Sequence, residues 1–277
     1  MRSTHPRQLV VIALVGTSLL GEQLSGRTPT PQDSCSAVLD GSKYPDLIPD
    51  AVAWAVIGGQ VSAGTFRQTA QTLGVSGAGA DVIARMFAGG GAPITGPTAA
   101  LTKRDLLTRQ LSTGDYQVLR DWVETERRQM LFTFPVPGRL SAASPEGNRR
   151  CTLEVKGKDH PEWIPESFYW EAYFRTQVDA VGEYRVGGRI APIYLKTHQQ
   201  LHLPMPVEDL RIFFEIADRT VAQLGGGSGD SRRNAEIVRN AREDLVRRLR
   251  ESSWRVVLAD ATSRVRDAAV FAFPTGL

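Results

Sequence analysis

His198 and His202 stand four residues apart in the segment HQQLH. On a helix that spacing puts both imidazoles on one face, where they can share a metal ion. A zinc protease needs a glutamate directly after the first histidine as general base, and this chain has Gln199 there. The surrounding stretch, Ile193 to Leu203, roughly alternates apolar and polar residues, and Pro204 and Pro206 follow at once. That period predicts a strand with both histidines on its wet face, leaving them weak metal candidates and no cofactor expected.

The segment Gly74-Val75-Ser76-Gly77-Ala78 approaches the nucleophile elbow G-x-S-x-G, with Ala78 replacing the last glycine. The elbow requires a strand before it, whereas Thr65 to Leu73 reads as helix. The same stretch lacks the third glycine of a dinucleotide loop, and Gly225 to Asp230 (GGGSGD) lacks the lysine of a P-loop. A metal-dependent or serine hydrolase using His198 and His202 is therefore the alternative function rather than the leading one. Asp46 with Asp50, and Glu162 with Glu166, are paired carboxylates of the kind used in acid–base chemistry or calcium binding. Each pair sits beside a proline, Pro49 or Pro165, which points instead to helix initiation.

These carboxylates belong to a longer recurring pattern. Cys35 to Trp54 reads CSAVLDGSKYPDLIPDAVAW, and Cys151 to Trp170 reads CTLEVKGKDHPEWIPESFYW. The two align without a gap at an offset of 116 residues, with six of twenty columns identical. The identities are Cys35/Cys151, Gly41/Gly157, Pro45/Pro161, Ile48/Ile164, Pro49/Pro165 and Trp54/Trp170, while Asp46/Glu162 and Asp50/Glu166 keep their charge. At ordinary residue frequencies about one match is expected, and cysteine and tryptophan are rare. An internal duplication is the expected origin. In each copy a short extended segment breaks at a glycine, the first proline favours a turn, and the second suits the first position of a helix.

Helices are expected elsewhere from periodicity and end signals. Val207 to Leu224 carries Leu210, Phe213, Phe214, Ala217, Val221 and Leu224 on one stripe, with Pro206 before it and Gly225 after. Trp170, Phe174, Val178 and Val181 form another stripe, read as core. Asp115–Leu131, Ser231–Glu251 and a run from Trp254 to Ala268 have the same character, and 65–73, 81–87 and 101–111 are shorter helices. The predicted fold class is mostly α: two related helical halves, each repeat helix preceded by a short extended segment. Residues 35–134 form the first half and 151–277 the second, separated by a Pro/Gly/Ser-rich linker over 135–150.

The amino terminus sets the expected compartment. Arg2 and Arg7 precede an apolar run from Leu9 to Leu20, twelve residues long. A membrane span needs about 20 apolar residues, so the pattern reads as a signal peptide over 1–26 followed by a linker over 27–34. In an oxidising compartment Cys35 and Cys151, the chain's two cysteines, are each other's partner. Net charge is +3, from 33 basic and 30 acidic residues, which gives no concentrated basic face and argues against a nucleic-acid partner. Ser231 to Asp267 holds ten arginines and six acids, partly paired at i,i+4 as in Glu243/Arg247 and Asp244/Arg248. The leading expectation is an exported, soluble, non-catalytic binding or structural protein of the cell envelope or extracellular space. Its partner would be an envelope protein or peptide, and no transmembrane span is expected in the mature chain. A third reading is a membrane-surface protein held by an uncleaved amino terminus and the arginine-rich carboxy-terminal helix.

Overall fold

The computed structural model describes residues 34–60, 63–88, 97–134, 138–140, 151–177, 184–186, 189–191, 203–225 and 231–273. Within these the chain is mostly helical, and no described helix is long and apolar enough to cross a membrane.

The two occurrences of the recurring pattern adopt matching 3-10 turns and helices, with two short strands before them in the first and one in the second. In the first, strand β1 (Ser34–Cys35) and strand β2 (Val38–Asp40) lead through a turn to a 3-10 turn at Pro45–Leu47 and then helix α1 (Asp50–Gln60). The corresponding run in the second copy comprises a strand over Cys151–Lys156, a 3-10 turn at Pro161–Trp163 and a helix over Glu166–Gln177. Tyr44 and His160, which precede the 3-10 turns, have φ/ψ of −133°/56° and −139°/63°. Ile48 and Ile164 are extended at −70°/122° and −77°/120°, because a following proline disfavours the helical region. Pro45 and Pro161 open the 3-10 turns, where an absent N–H leaves no bond unmade. Pro49 and Pro165 sit one place earlier than the sequence reading had them. The Pro49 carbonyl accepts from Val52 (3.0 Å) and Ala53 (3.1 Å), and that of Pro165 from Phe168 (3.1 Å), so both are N-caps.

The two glycines of the pattern solve a packing problem. Gly41 donates its N–H to the Met130 carbonyl (2.9 Å), and a Cβ there would lie 2.1 Å from the Arg127 oxygen. Gly157 donates to the Ala269 carbonyl (2.8 Å), and its Cβ would lie 1.7 Å from the Arg266 oxygen. Any side chain would drive into backbone at the end of a helix, so this approach requires glycine.

Between the copies lie helices α2 (Ala63–Thr72), α3 (Gly77–Ala88), α4 (Pro97–Gln110) and α5 (Thr113–Gln129), then strands β3 (Leu131–Thr133) and β4 (Gly138–Leu140). The second copy begins with β5 (Cys151–Lys156) and α6 (Glu166–Gln177), followed by β6 (Tyr184–Val186) and β7 (Arg189–Ala191). Helices α7 (Val207–Leu224), α8 (Ser231–Arg248) and α9 (Glu251–Ala261) follow. Helix α9 runs into a π-helical turn at Thr262–Arg266, and β8 (Val270–Phe273) closes the described chain. Antiparallel β2 and β3 pair with Leu39 opposite Phe132, and β5 and β8 with Val155 opposite Phe271. Strand β4 lies inside the segment expected to be a linker; residues 135–137 and 141–150 are outside the described residues.

The elements differ from the periodicity reading in their bounds and in one buried face. Helix α5 ends at Gln129 because Leu131–Thr133 pairs with β2. The long helix expected over 231–251 breaks at Leu249–Arg250, where no glycine or proline marks the stop and extended Arg250 (ψ 150°) caps α9. On α7, Phe214 is 41% exposed and Ile216 fills the core in its place. The expected stripe residues Val178 and Val181 lie outside the described residues.

Two apolar clusters form. The larger gathers Phe168, Trp170, Tyr173, Phe174, Phe213 and Trp254 with Leu47, Ile48 and Phe132, and the smaller holds Trp54, Ile83, Leu107, Tyr116, Leu119 and Val123. Helix α1 serves both, through Val52 on one side and Ala53 and Trp54 on the other.

Cys35 and Cys151 form a disulfide with Cα atoms 5.9 Å apart. Their strands flank β4, in the order β1-β4-β5. Strands two places apart in a flat sheet are separated by about 9–10 Å. The ribbon therefore folds over Gly138, whose Cβ would stand 2.8 Å from Cys151 Sγ and 3.0 Å from Cys35 Sγ.

Candidate functional site

Asp50 and Glu166 occupy the first turns of α1 and α6, as helix initiation predicts, but each is also buried against arginines. Arg104 of α4 donates through both terminal nitrogens to Glu166, one bond being Nη2 to Oε1 at 3.1 Å. Arg242 of α8 reaches Asp105 (2.7 Å) and lies 3.5 Å from Glu166. Tyr169 donates its hydroxyl to Glu166 (3.1 Å), and the Trp254 indole N–H donates to Asp105 (3.3 Å). The Arg242 guanidinium also lies 5.0 Å from the Trp254 ring centroid and 5.9 Å from that of Trp170. Around Asp50, Arg127 of α5 donates to the carboxylate (2.5 Å) and to the Ile48 carbonyl (3.1 Å), while Arg239 of α8 pairs with Glu124 (3.3 Å).

The four arginines Arg104, Arg127, Arg239 and Arg242 thus meet four acids, Asp50, Asp105, Glu124 and Glu166. Charge this deep persists only when paired. Burial pushes the Asp50 carboxyl up, but Arg127, Arg239 and Arg104 outweigh it and hold the group well below the usual carboxylate range. Asp105 is likewise lowered, by Arg242 and Arg104 against the opposing effect of burial. The cluster joins α1, α4, α5, α6 and α8; its members are buried except Glu124 and Arg239, which are partly exposed at its edge, and its work is to fix how these helices meet.

The other sequence candidates divide clearly. Ser76 is the N-terminal cap of α3: its hydroxyl accepts from the Gly79 N–H (3.0 Å) and donates to Asp115 (2.8 Å), and helix α2 precedes it. Asp46 and Glu162 fall in the 3-10 turns. Trp54 stacks with Tyr116 (centroids 6.4 Å, planes 14° apart), and Trp170 with Trp254 (5.6 Å, 14°). Gly225 terminates α7 with φ 63°. His198, His202 and residues 226–230 lie outside the described residues, as do the expected signal peptide over 1–26 and all but Ser34 of the linker over 27–34. Among the described residues no group of three or more His, Cys, Asp or Glu side chains is placed to hold a metal.

An accessible candidate among the described residues is a groove of about 450 Å³ between α5, α7 and α8. Two ion pairs form its walls, Arg120–Glu243 (3.1 Å) and Arg219–Asp244 (2.6 Å). Gln117, Gln223 and Asn240 add amides, and Ile237 and Ala241 an apolar patch. Arg247 differs from the other two arginines. It donates to Thr113 Oγ1 (2.8 Å) and lies 5.2 Å from the Tyr116 ring centroid, with its buried Nε unpartnered and no ion pair to a carboxylate among the described residues.

No protein-family model, curated protein or solved structure matches this chain.

The residues that matter most here escaped the sequence reading, although a signal for them exists. Arg104 to Leu111 reads RDLLTRQL and Arg242 to Leu249 reads REDLVRRL, a pattern R-[DE]-x-L-x-R-x-L repeated at an offset of 138. Tyr116 and Trp254, the stacking partners of the two pattern tryptophans, keep that offset. Arg127 and Arg266, which overhang Gly41 and Gly157, and the F-x-F-P runs from Phe132 and Phe271 are offset by 139. The additional residue coincides with the π-helical turn, where the Asp267 N–H reaches back five places to the Thr262 carbonyl (2.8 Å).

Proposed function

We propose that this chain is an exported, non-catalytic binding or structural protein of the cell envelope or extracellular space, built from two halves related by duplication. The observation that carries the reading is the Cys35–Cys151 disulfide, a bond that persists in oxidising compartments and is rare in reducing ones. The charged run and apolar core of the amino terminus support the same compartment. Duplication is supported by three matched blocks at offsets of 116, 138 and 139, joined by equivalent stacking pairs and equivalent glycine contacts. A binding role is supported by the polar groove and by the largely buried, helix-joining position of the charge cluster.

The test is the intact mass of the protein recovered from its native host after alkylation of free thiols, with and without reduction. A mass lacking the first residues, with both cysteines blocked until reduction, is expected. A full-length mass with two alkylated thiols would refute export and the envelope role together.

A further inference from the structure

Helix α7 carries six charged side chains, and four of them have partners within the chain. Glu208 lies 3.9 Å from Arg250, Asp209 accepts from Ser253, Glu215 meets Arg248 (3.0 Å) and Arg219 meets Asp244 (2.6 Å). Arg211 and Asp218 are the other two. Both are exposed, and neither has an ion pair or a side-chain hydrogen bond among the described residues. They are opposite in sign and seven residues apart, about 10 Å along the helix axis. Phe214 stands between them, and Val207 lies seven residues before it. Among the exposed large apolar side chains of the described residues, Val207 is the most exposed, at 68%, and Phe214, at 41%, is the one aromatic ring. Phe214 rests edge-on against buried Phe213, with centroids 5.3 Å apart and planes at 71°. At 3.6 residues per turn, Val207, Arg211, Phe214 and Asp218 fall within roughly 60° of one another around the axis. They form one outward stripe, away from the face that Phe213, Ile216, Ala217 and Leu224 bury.

We propose that this stripe is the docking face for a second copy of the chain, with the two α7 helices antiparallel across a twofold axis beside Phe214. The midpoint between Arg211 and Asp218 falls between Phe214 and Glu215. An antiparallel pairing about that point sets Arg211 of each copy level with Asp218 of the other, with the two Phe214 rings between the pairs. The stripe is therefore complementary to itself, as a contact across a twofold axis requires. A parallel pairing would place arginine against arginine and is excluded by the same charges. Val207, Phe214 and Val221 recur every seven residues, the spacing of the seam between paired helices. An anionic membrane surface fits the face less well, because α7 carries four acids against two arginines. One helix pair is a small contact, so the dimer is expected to be weak, micromolar rather than nanomolar. The contact does not depend on export.

Charge exchange across the axis provides the test. Oxidised protein expressed in its native host is followed by sedimentation velocity from micromolar to millimolar concentration at low ionic strength, where exposed charges are least screened. Reversible dimerisation is expected. Arg211→Asp alone sets acid against acid at both ends of the contact, and Asp218→Arg alone sets arginine against arginine. Each is expected to weaken the dimer at least about tenfold, as is Phe214→Ala. The double variant Arg211→Asp/Asp218→Arg restores opposite charges in exchanged places and is expected to recover the original affinity within about threefold. The exposed control Lys158→Glu is expected to change nothing. All four α7 positions altered or spanned here are on the surface, so melting temperatures close to that of the unaltered protein confirm that the variants are folded. A monomer at millimolar concentration overturns the proposal, and so does a dimer that either single reversal leaves unchanged. A double variant as weak as the single ones refutes the antiparallel pairing. The native-host mass experiment is independent, so export with blocked cysteines in a monomeric protein would reject this contact and leave the envelope reading standing.

Discussion

Gly138→Ala isolates a contact that exists only because the disulfide exists. The added methyl carbon would stand 2.8 Å and 3.0 Å from the two sulfurs and 3.0 Å from the Thr152 carbonyl oxygen. A carbon and a sulfur in ordinary contact are separated by roughly 3.5–4 Å, so the overlap approaches 1 Å on both sulfurs. Overpacking of that kind costs about 1–3 kcal/mol. Gly138 is not among the positive-φ glycines, so alanine brings no backbone penalty, and it recovers about 0.4–1 kcal/mol through the unfolded chain. In a Cys35→Ala/Cys151→Ala background both sulfurs are gone and the Thr152 oxygen is the sole close neighbour that remains. Urea unfolding followed by the fluorescence of the five tryptophans gives all four corners of the cycle. Sucrose keeps the cysteine-free corners folded. A coupling of at least about 1 kcal/mol between Gly138→Ala and the cysteine pair is expected. Equal cost in both backgrounds would show that the bridge does not press on Gly138 and that β1 and β5 close by another route.

Removing the disulfide itself is expected to cost up to about 5 kcal/mol on a chain-entropy argument for a loop of this length, read as a lower urea midpoint after reduction; no change would mean that the reduced chain is held as tightly. Glu166→Gln leaves Arg104 and Arg242 without their shared carboxylate and is expected to cost about 3–5 kcal/mol in the same assay, against under 1 kcal/mol for the exposed Glu251→Gln. Asp50 and Asp105 are lowered in the fold, so their stabilisation is complete above the unfolded value of 3.8 and is lost as pH falls below it towards the folded values. Melting temperature should therefore hold between about pH 5 and 7 and drop below about pH 4, with a shallower acid limb in Asp50→Asn. An unchanged acid limb in that variant would remove Asp50 from the account.

How much of this was legible in the sequence depends on what carried the information. The blocks from Cys35 to Trp54 and from Cys151 to Trp170 align without a gap, and the proline-directed turns and α7 follow from local rules that need no distant partner. The blocks at 104–111 and 242–249 are as similar, yet they stand at a different offset because the chain between them and the pattern tryptophans differs in length. A search at one offset passes over them, and the offset changes by one residue again before the last block. Glu166 was readable as a helix-starting acid from its neighbours. Its pairing with Arg104, 62 residues away, depends on burial that only tertiary packing creates. The break at Leu249–Arg250 carries no glycine or proline, and the backbone there turns because Arg250 caps α9 and Trp254 returns its N–H to the Arg250 carbonyl (2.9 Å).

The bridge from Cys35 to Cys151 also changes what proteolysis can do to this molecule. Every peptide bond from residue 36 to residue 150 lies inside the covalent loop. A protease that cuts once in that interval opens the loop and releases no fragment. The nicked protein would keep one mass until it was reduced, with both pieces still threaded through the shared cores and the buried ion pairs that join α4 to α6. Such a chain can be cut within that interval and remain one molecule.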